Sequence, residues 1–132
     1  MNKILCEITK IENVESLNIV SFDFQGLNLK MMSLDLSNID IKSKVNLTVK
    51  STHVSIAKQF EGNSSFENIF KAQLVDMECG QLLCNVKLKV NDIFLESIIT
   101  LESFKKMDLK VQDEVTVLIK ASDISILEII HD

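Results

Sequence analysis

Hydroxyl, ammonium and backbone groups that suit an oxyanion lie in two short segments of the last third of the chain. Thr100 and Ser103 stand where a strand is expected to pass into a short helix, and unpaired N–H groups at such a start favour an anion. Lys120 begins a sharp turn at 120–123, whose successive N–H groups could form an anion nest. These groups predict a site for a small, doubly charged oxyanion. An alternative stays open, in which Thr100 and Ser103 only cap the helix and Lys120 is solvated.

The other reactive side chains do not suggest catalysis. His53 and His131 are the only histidines, and no serine or cysteine has a local base that would activate it. With three glycines in total, the chain has no Gly-rich phosphate loop. The acidic residues fall at polar strand positions and turns, where carboxylates are ordinarily solvated. The sequence therefore predicts a binding protein rather than an enzyme, with no catalytic residues, no metal site and no organic cofactor.

The charge balance limits the partners. The net charge is −5, with fourteen basic residues that are all lysines. Nucleic-acid binding needs a basic surface, so this balance predicts no nucleic-acid partner and leaves an oligonucleotide-binding face lined by Phe as the weakest alternative. The absence of arginine also removes the bidentate fork that often grips oxyanions. An anion site must therefore use lysine, hydroxyls and backbone N–H groups.

Cysteine usage and hydropathy favour a cytoplasmic protein. Cys6, Cys79 and Cys84 are odd in number and lack paired C-x-x-C spacing, so we expect reduced core thiols. No histidine lies near Cys79 and Cys84, which argues against a metal site there. Glu7 and Lys10 interrupt the apolar start, so no secretory leader is expected, and no apolar run is long enough to span a membrane.

The chain contains an internal repeat. The positions Val45, Leu47, Val49 and Lys50 recur seventy residues later as Val115, Val117, Ile119 and Lys120, and Val20, Phe22 and Phe24 recur sixty-six residues later as Val86, Leu88 and Val90. We therefore predict two small β domains, a first copy at 1–60 and a second copy at 69–132, with a linker at 61–68. Copies of about sixty residues are marginal alone, so each is expected to lean on the other or on another subunit.

Alternating apolar residues predict the strands of both copies. The predicted strands are 4–12, 17–24, 27–34, 45–50 and 53–58, then 69–78, 82–90, 93–100, 113–119 and 123–130. The pair 45–50 and 53–58 is expected to form a tight hairpin that turns at Ser51-Thr52. Residues 100–107 predict a short helix that the first copy lacks. The fold class is thus all-β with one short helix, arranged as two tandem OB-like five-stranded β-barrels.

Residues 98–124 carry a family resemblance. They read I-I-T-L-E-S-F-K-K-M-D-L-K-V-Q-D-E-V-T-V-L-I-K-A-S-D-I. This stretch resembles the molybdenum-pterin-binding domain (Mop, or molybdate-type TOBE), which shows an I-T-x-x-S segment, a short helix, a G-D-E-V-like strand start and I-K-A-S-D-V. Over both copies the chain resembles a di-Mop protein. The resemblance implies OB-like barrels that bind molybdate or tungstate, often between subunits of an oligomer.

The resemblance also implies which residues bind the oxyanion. The set is Thr100, Ser103, Lys120, Ala121 and Ser122 in the second copy, Lys50 and Ser51 in the first, and Ser65 of the linker. Family members begin each copy with S-A-R-N, whose serine and arginine complete the site from a neighbouring domain. Here residues 65–68 read S-F-E-N, so Glu67 replaces the arginine, and the first copy keeps at most Asn2. A carboxylate there would repel a dianion unless it points away, or unless Lys71 or Lys3 substitutes for the arginine.

The resulting functional prediction is non-catalytic binding of molybdate or tungstate for storage, homeostasis or sensing in the cytoplasm. A homo-oligomer is expected, with a trimer favoured, and no membrane partner. Nothing in the chain resembles a helix-turn-helix domain, so a sensor would act through a protein partner. The alternative is an oligomerisation or protein-interaction module that keeps the barrel and has lost its ligand. The replacement of arginine by Glu67 and the degenerate first copy favour that alternative.

Overall fold

A computed structural model describes residues 2–34, 36 and 38–131. The first copy forms β1 (Asn2–Val14), β2 (Leu17–Phe24), β3 (Leu27–Leu34), β4 (Lys44–Val49) and β5 (Ser55–Ala57). The second copy forms β6 (Asn68–Cys79), β7 (Leu83–Val90), β8 (Ile93–Thr100), α1 (Leu101–Lys106), β9 (Glu114–Ile119) and β10 (Ser125–Ile130). Two 3₁₀ turns, Ser51–His53 and Ala121–Asp123, precede β5 and β10. No helix in these ranges is long and apolar enough to cross a membrane.

The two copies exchange their last strands. One five-stranded sheet has the order β10-β4-β1-β2-β3, and the other has the order β5-β9-β6-β7-β8. The predicted hairpin of 45–50 with 53–58 is therefore wrong, since Ile56 of β5 pairs with Val117 of β9. Tight hairpin turns need a positive φ at a central residue, and Ser51 and Thr52 have none. The boundaries 1–60, 61–68 and 69–132 stay a prediction about the sequence repeat.

A bulge in the longest strand of each sheet curls that sheet. Residues 2–7 of β1 pair with β4, and residues 7–14 pair with β2, with the register shifting between Ile8 and Lys10. In β6 the same shift lies between Leu74 and Asp76. Because a bulge bends its strand, each sheet curls around its own apolar face. The result is two OB-like five-stranded barrels, which confirms the predicted fold class.

The apolar alternation predicted from the sequence builds the core. Val20 and Phe22 of β2, like Val86 and Leu88 of β7, are fully buried, and they belong to one continuous apolar cluster. The predicted turns are also present. Gln25-Gly26 and Asn91-Asp92 reverse the chain between paired strands, with positive φ at the first residue of each pair.

Two buried asparagines connect the sheets. The Asn68 amide accepts a hydrogen bond from Lys30 N at 2.6 Å and donates to the Lys30 and Ile119 carbonyls at 3.0 and 3.1 Å. Asn2 repeats this pairing with the backbone of Glu96, accepting at 2.7 Å and donating at 2.9 Å. Each side-chain amide hydrogen-bonds to both the N–H and the C=O of one strand residue, as the backbone of a neighbouring strand would. These bridges and the exchanged strands join both sheets into one unit.

The cysteines correct one prediction. Cys79 and Cys84 lie opposite each other on β6 and β7 and form a disulfide. The expectation of reduced core thiols is wrong for this pair, because the hairpin brings the two side chains together although their spacing is not C-x-x-C. Cys6 is free and buried, as expected. Burial, together with the charge of Asp23, raises the pKa of the Cys6 thiol to about 12.

Candidate oxyanion-binding site

The start of α1 is built by the predicted hydroxyls. The Thr100 Oγ1 accepts a hydrogen bond from Ser103 N at 3.1 Å and donates to Ser103 Oγ at 2.9 Å. Thr100 is thus the N-cap of α1, and both side chains are exposed. In the first copy, residues 36 and 38–43 form no helix, so among the described residues only the second copy has this corner. This capping role is the one that the alternative interpretation of Thr100 and Ser103 predicted. Ser103 is nevertheless exposed to solvent.

Ser103 faces residues of the first copy across an open groove. The groove encloses about 620 Å³, and Ser103 shares it with Thr52, Ser55, Lys58, Gln59 and Lys106. Strand exchange creates this arrangement, because β5 crosses over to the sheet that carries α1. Lys58 is already engaged, since its Nζ donates to the Asp108 carbonyl at 2.7 Å and lies 3.1 Å from Asp113 Oδ2. The groove therefore combines three hydroxyl side chains with an apolar wall that includes Ile98, Ile99 and Met107, and one of its two lysines is paired with a carboxylate.

Asp113 belongs to the same corner of the fold. The Lys110 backbone N–H, which donates to Asp113 Oδ2 at 2.9 Å, and the Lys58 ammonium lower the pKa of this carboxyl. The carboxylate therefore stays ionised and keeps Lys58 in place. Lys106 is the other ammonium of the groove, and within the described residues it makes no ion pair.

The turn at 120–123 holds an anionic oxygen. Lys120 directly follows β9 and is exposed, while Ala121 is only 4 % exposed. The Ala121 N–H donates to Glu67 Oε1 at 2.7 Å, and Asp123 N donates back to the Lys120 carbonyl at 3.0 Å. The first amide of the predicted nest thus carries a carboxylate of the chain itself. Lys71, one substitute considered for the family arginine, lies 3.2 Å from Glu114 Oε1 instead.

A smaller cavity lies between the two 3₁₀ turns. It encloses about 250 Å³ and is lined by Thr48, Val49, Lys50, His53, Ser122, Asp123 and Ser125. His53 Nδ1 lies 3.7 Å from Asp123 Oδ1, so equivalent positions of the two copies face each other. This cavity brings together Lys50 and Ser122 of the predicted set.

The remaining members of the predicted set lie apart within one chain. The corner with Thr100 and Ser103 packs against β7 and β8, whereas the second 3₁₀ turn lies against β3 of the other sheet. Ser65 is exposed in the segment before β6, and Ser51 is half-buried at the first 3₁₀ turn. Sequence reasoning missed Thr52, Ser55 and Lys58 as neighbours of Ser103, because their position depends on the exchange of β5.

The match to a known protein family falls on the second copy of the repeat. Residues 64–126 match the family model of the TOBE domain, a span that contains β6 to β9 and α1. The matched span falls on the second copy, which is therefore similar to a TOBE domain. No curated protein sequence matches the chain. Both the TOBE match and the two-barrel fold confirm the resemblance predicted from residues 98–124.

One solved structure shows that the likeness extends beyond the TOBE span. The chain is similar to the cytoplasmic molybdate-binding protein ModG, crystallised with molybdate bound, with a TM-score of 0.88 and 18 % sequence identity. The alignment covers 95 % of this chain and 94 % of that chain. At this identity the likeness establishes the fold alone, and it includes the first copy, which lies outside the span matched by the TOBE model.

Proposed function

We propose that this protein binds molybdate or tungstate and catalyses no reaction on it. The observation that carries the proposal is the turn at 120–123, where the Ala121 N–H holds an anionic oxygen at 2.7 Å and the exposed Lys120 directly precedes Ala121 in the chain. Amides and a lysine ammonium are the groups that an oxyanion site without arginine requires. The fold shared with molybdate-binding ModG supports the choice of ligand.

The proposed site combines two chains. Thr100 and Ser103 of one chain supply hydroxyls, and Lys120, Ala121 and Ser122 of another supply an ammonium, amides and a hydroxyl, with Ser65 beside them. Their separation within one chain supports this arrangement. Lys50 and Ser51 would play the same part in the first copy. Sulfate is also a dianion, so selectivity for the larger molybdate and tungstate would come from size and hydrogen bonding.

Storage, buffering or sensing in the cytoplasm is the role we propose, through a homo-oligomer for which a trimer is favoured. The cytoplasmic location of ModG supports the compartment. The groups of the proposed site are hydrogen-bond donors and one cation, which suit the holding of an anion. Such a site holds and releases its ligand unchanged.

Calorimetry on ligand-stripped protein tests the proposal. We expect molybdate and tungstate to bind with micromolar or tighter affinity and sulfate to give no heat. Lys120→Ala should weaken molybdate binding about 10- to 100-fold, since a hydrogen bond to a charged group contributes about 1.5–3 kcal/mol. Lys89→Ala, which removes an exposed lysine of β7, is the matched control and should bind like the wild type.

A ligand-free interaction module is the second candidate. Two observations favour it: Glu67 already occupies the Ala121 amide, and large apolar side chains such as Leu34 and Leu82 are 65 % and 80 % exposed. If none of the three oxyanions gives heat and the protein self-associates, this second function replaces the first. Binding that Lys120→Ala leaves unchanged would place the oxyanion at another site.

A further inference from the structure

The segment that leads into β6 fixes a carboxylate over the turn at 120–123. Asn68 is fully buried and held by three hydrogen bonds to Lys30 and Ile119. Glu67 directly precedes it, and its Oε1 accepts the Ala121 N–H at 2.7 Å. The anchored backbone of Asn68 therefore holds Glu67 within reach of Ala121, fifty-four residues further along the chain.

We propose that Glu67 is an internal anion that competes with the oxyanion for the Ala121 amide and thereby sets the affinity and occupancy of this site. The inference rests on the proposed function. Glu67 is thus an affinity-determining residue. A neutral or basic side chain at this position would leave the Ala121 amide free to bind the oxyanion. The oxyanion then binds when the Glu67 carboxylate leaves the Ala121 amide.

Charge and geometry both make the competition direct. The Ala121 N–H has one hydrogen, so two anionic oxygens cannot both accept it at full strength. A carboxylate that stays beside a bound dianion also repels it. Lys71 does not relieve this repulsion, because its ammonium lies beside Glu114. Lys120 directly precedes the Ala121 amide, and its single positive charge cannot balance a carboxylate and a dianion together.

The tether makes Glu67 an effective competitor that the ligand can still displace. A group that a short tether holds next to its partner acts at an effective concentration on the order of millimolar. The side chain of Glu67 is exposed, so it can swing into solvent without disturbing the core. Competition should therefore weaken oxyanion binding and leave it measurable. Loss of one charge-assisted hydrogen bond corresponds to a factor of about 10 to 100 in affinity.

Calorimetric titration of the full chain with molybdate tests this inference. Glu67→Ala, which removes both the charge and the contact, should bind molybdate about 10- to 100-fold more tightly than the wild type. Glu67→Gln removes the charge but keeps an oxygen, and it should gain a smaller factor. Glu61→Gln changes the net charge equally in the same exposed segment, and it is the control that should leave the affinity unchanged.

The amide resonance of Ala121 gives a readout that needs no ligand. In ligand-free protein, Glu67→Ala should move this resonance upfield, and Glu61→Gln should not. An unmoved resonance would overturn the inference, and so would wild-type molybdate binding that Glu67→Ala leaves equal or weakens. If neither the wild type nor the Glu67 variants bind molybdate, the proposed function fails and the competitive role with it. If Glu67→Ala binds molybdate more tightly than the wild type, Glu61→Gln does not, and the Ala121 resonance is shifted, the result supports both the proposed function and the competitive role of Glu67.

Discussion

Adjacent residues at the start of β6 have opposite roles. Asn68 is buried and satisfies the backbone of Lys30, whereas Glu67 is exposed and contacts the turn at 120–123. Asn2 does in β1 what Asn68 does in β6, so the amide is a structural part of each copy. An apolar side chain in its place would leave a buried N–H without a partner. The asparagine of the S-A-R-N motif is therefore retained with a structural role, and the replacement of its arginine by Glu67 is the change that bears on the proposed ligand site.

The cysteines give a prediction for single residues. Without reductant, denatured protein should titrate one thiol per chain, that of Cys6, and Cys84→Ser should raise the count to two. In the native protein Cys6 should not react near pH 8, because its pKa of about 12 leaves almost no thiolate. The measurement is a colorimetric thiol assay before and after unfolding. Three thiols in the denatured wild type would contradict it and would fit the reducing compartment proposed above.

At the scale of strands and helices, sequence patterns predicted the elements whose bounds depend on local interactions. Alternation gave β2, β3 and β8 with the bounds that the structure shows, and helical spacing gave α1 with Thr100 as its cap. The partner of β5 was not predictable in this way, since an apolar strand fits either sheet. For the same reason the contact of Glu67 with Ala121, made across fifty-four residues, left no trace in local spacing.

Strand exchange makes the two copies depend on each other. A fragment of residues 1–63 lacks β10, and a fragment of residues 64–132 lacks β5, so each should be largely unfolded alone and should refold when both are mixed. Circular dichroism melts and amide NMR dispersion measure this. The control is the full chain cleaved once at an engineered protease site in the segment 61–65, which should stay folded. A cooperative melt of the isolated second fragment would contradict the prediction.

On the scale of the whole molecule, apolar surface lies at the ends of both halves. Val14, Leu17 and Leu34 meet at the end of the first sheet and are 73 %, 37 % and 65 % exposed. Leu82 and Leu83 occupy the corresponding end of the second sheet, at 80 % and 54 %. Apolar side chains exposed in groups mark surfaces that bind other proteins. Together with the separation of the proposed site groups within one chain, they favour self-association.

We expect sedimentation to show a trimer, the oligomer that the family resemblance implies, with three times the 14.9 kDa mass of the chain. Leu82→Glu places a charge on the most exposed leucine and should shift the protein toward monomer, while Val111→Glu, at an apolar residue that is 49 % exposed and lies outside both groups, should not. The proposed site takes Thr100 from one chain and Lys120 from another. A monomeric variant cannot assemble this site, so its affinity for molybdate should fall at least tenfold. A wild type that sediments as a monomer and still binds molybdate would contradict the shared site, and the groove beside Ser103 would then be the place to locate the ligand.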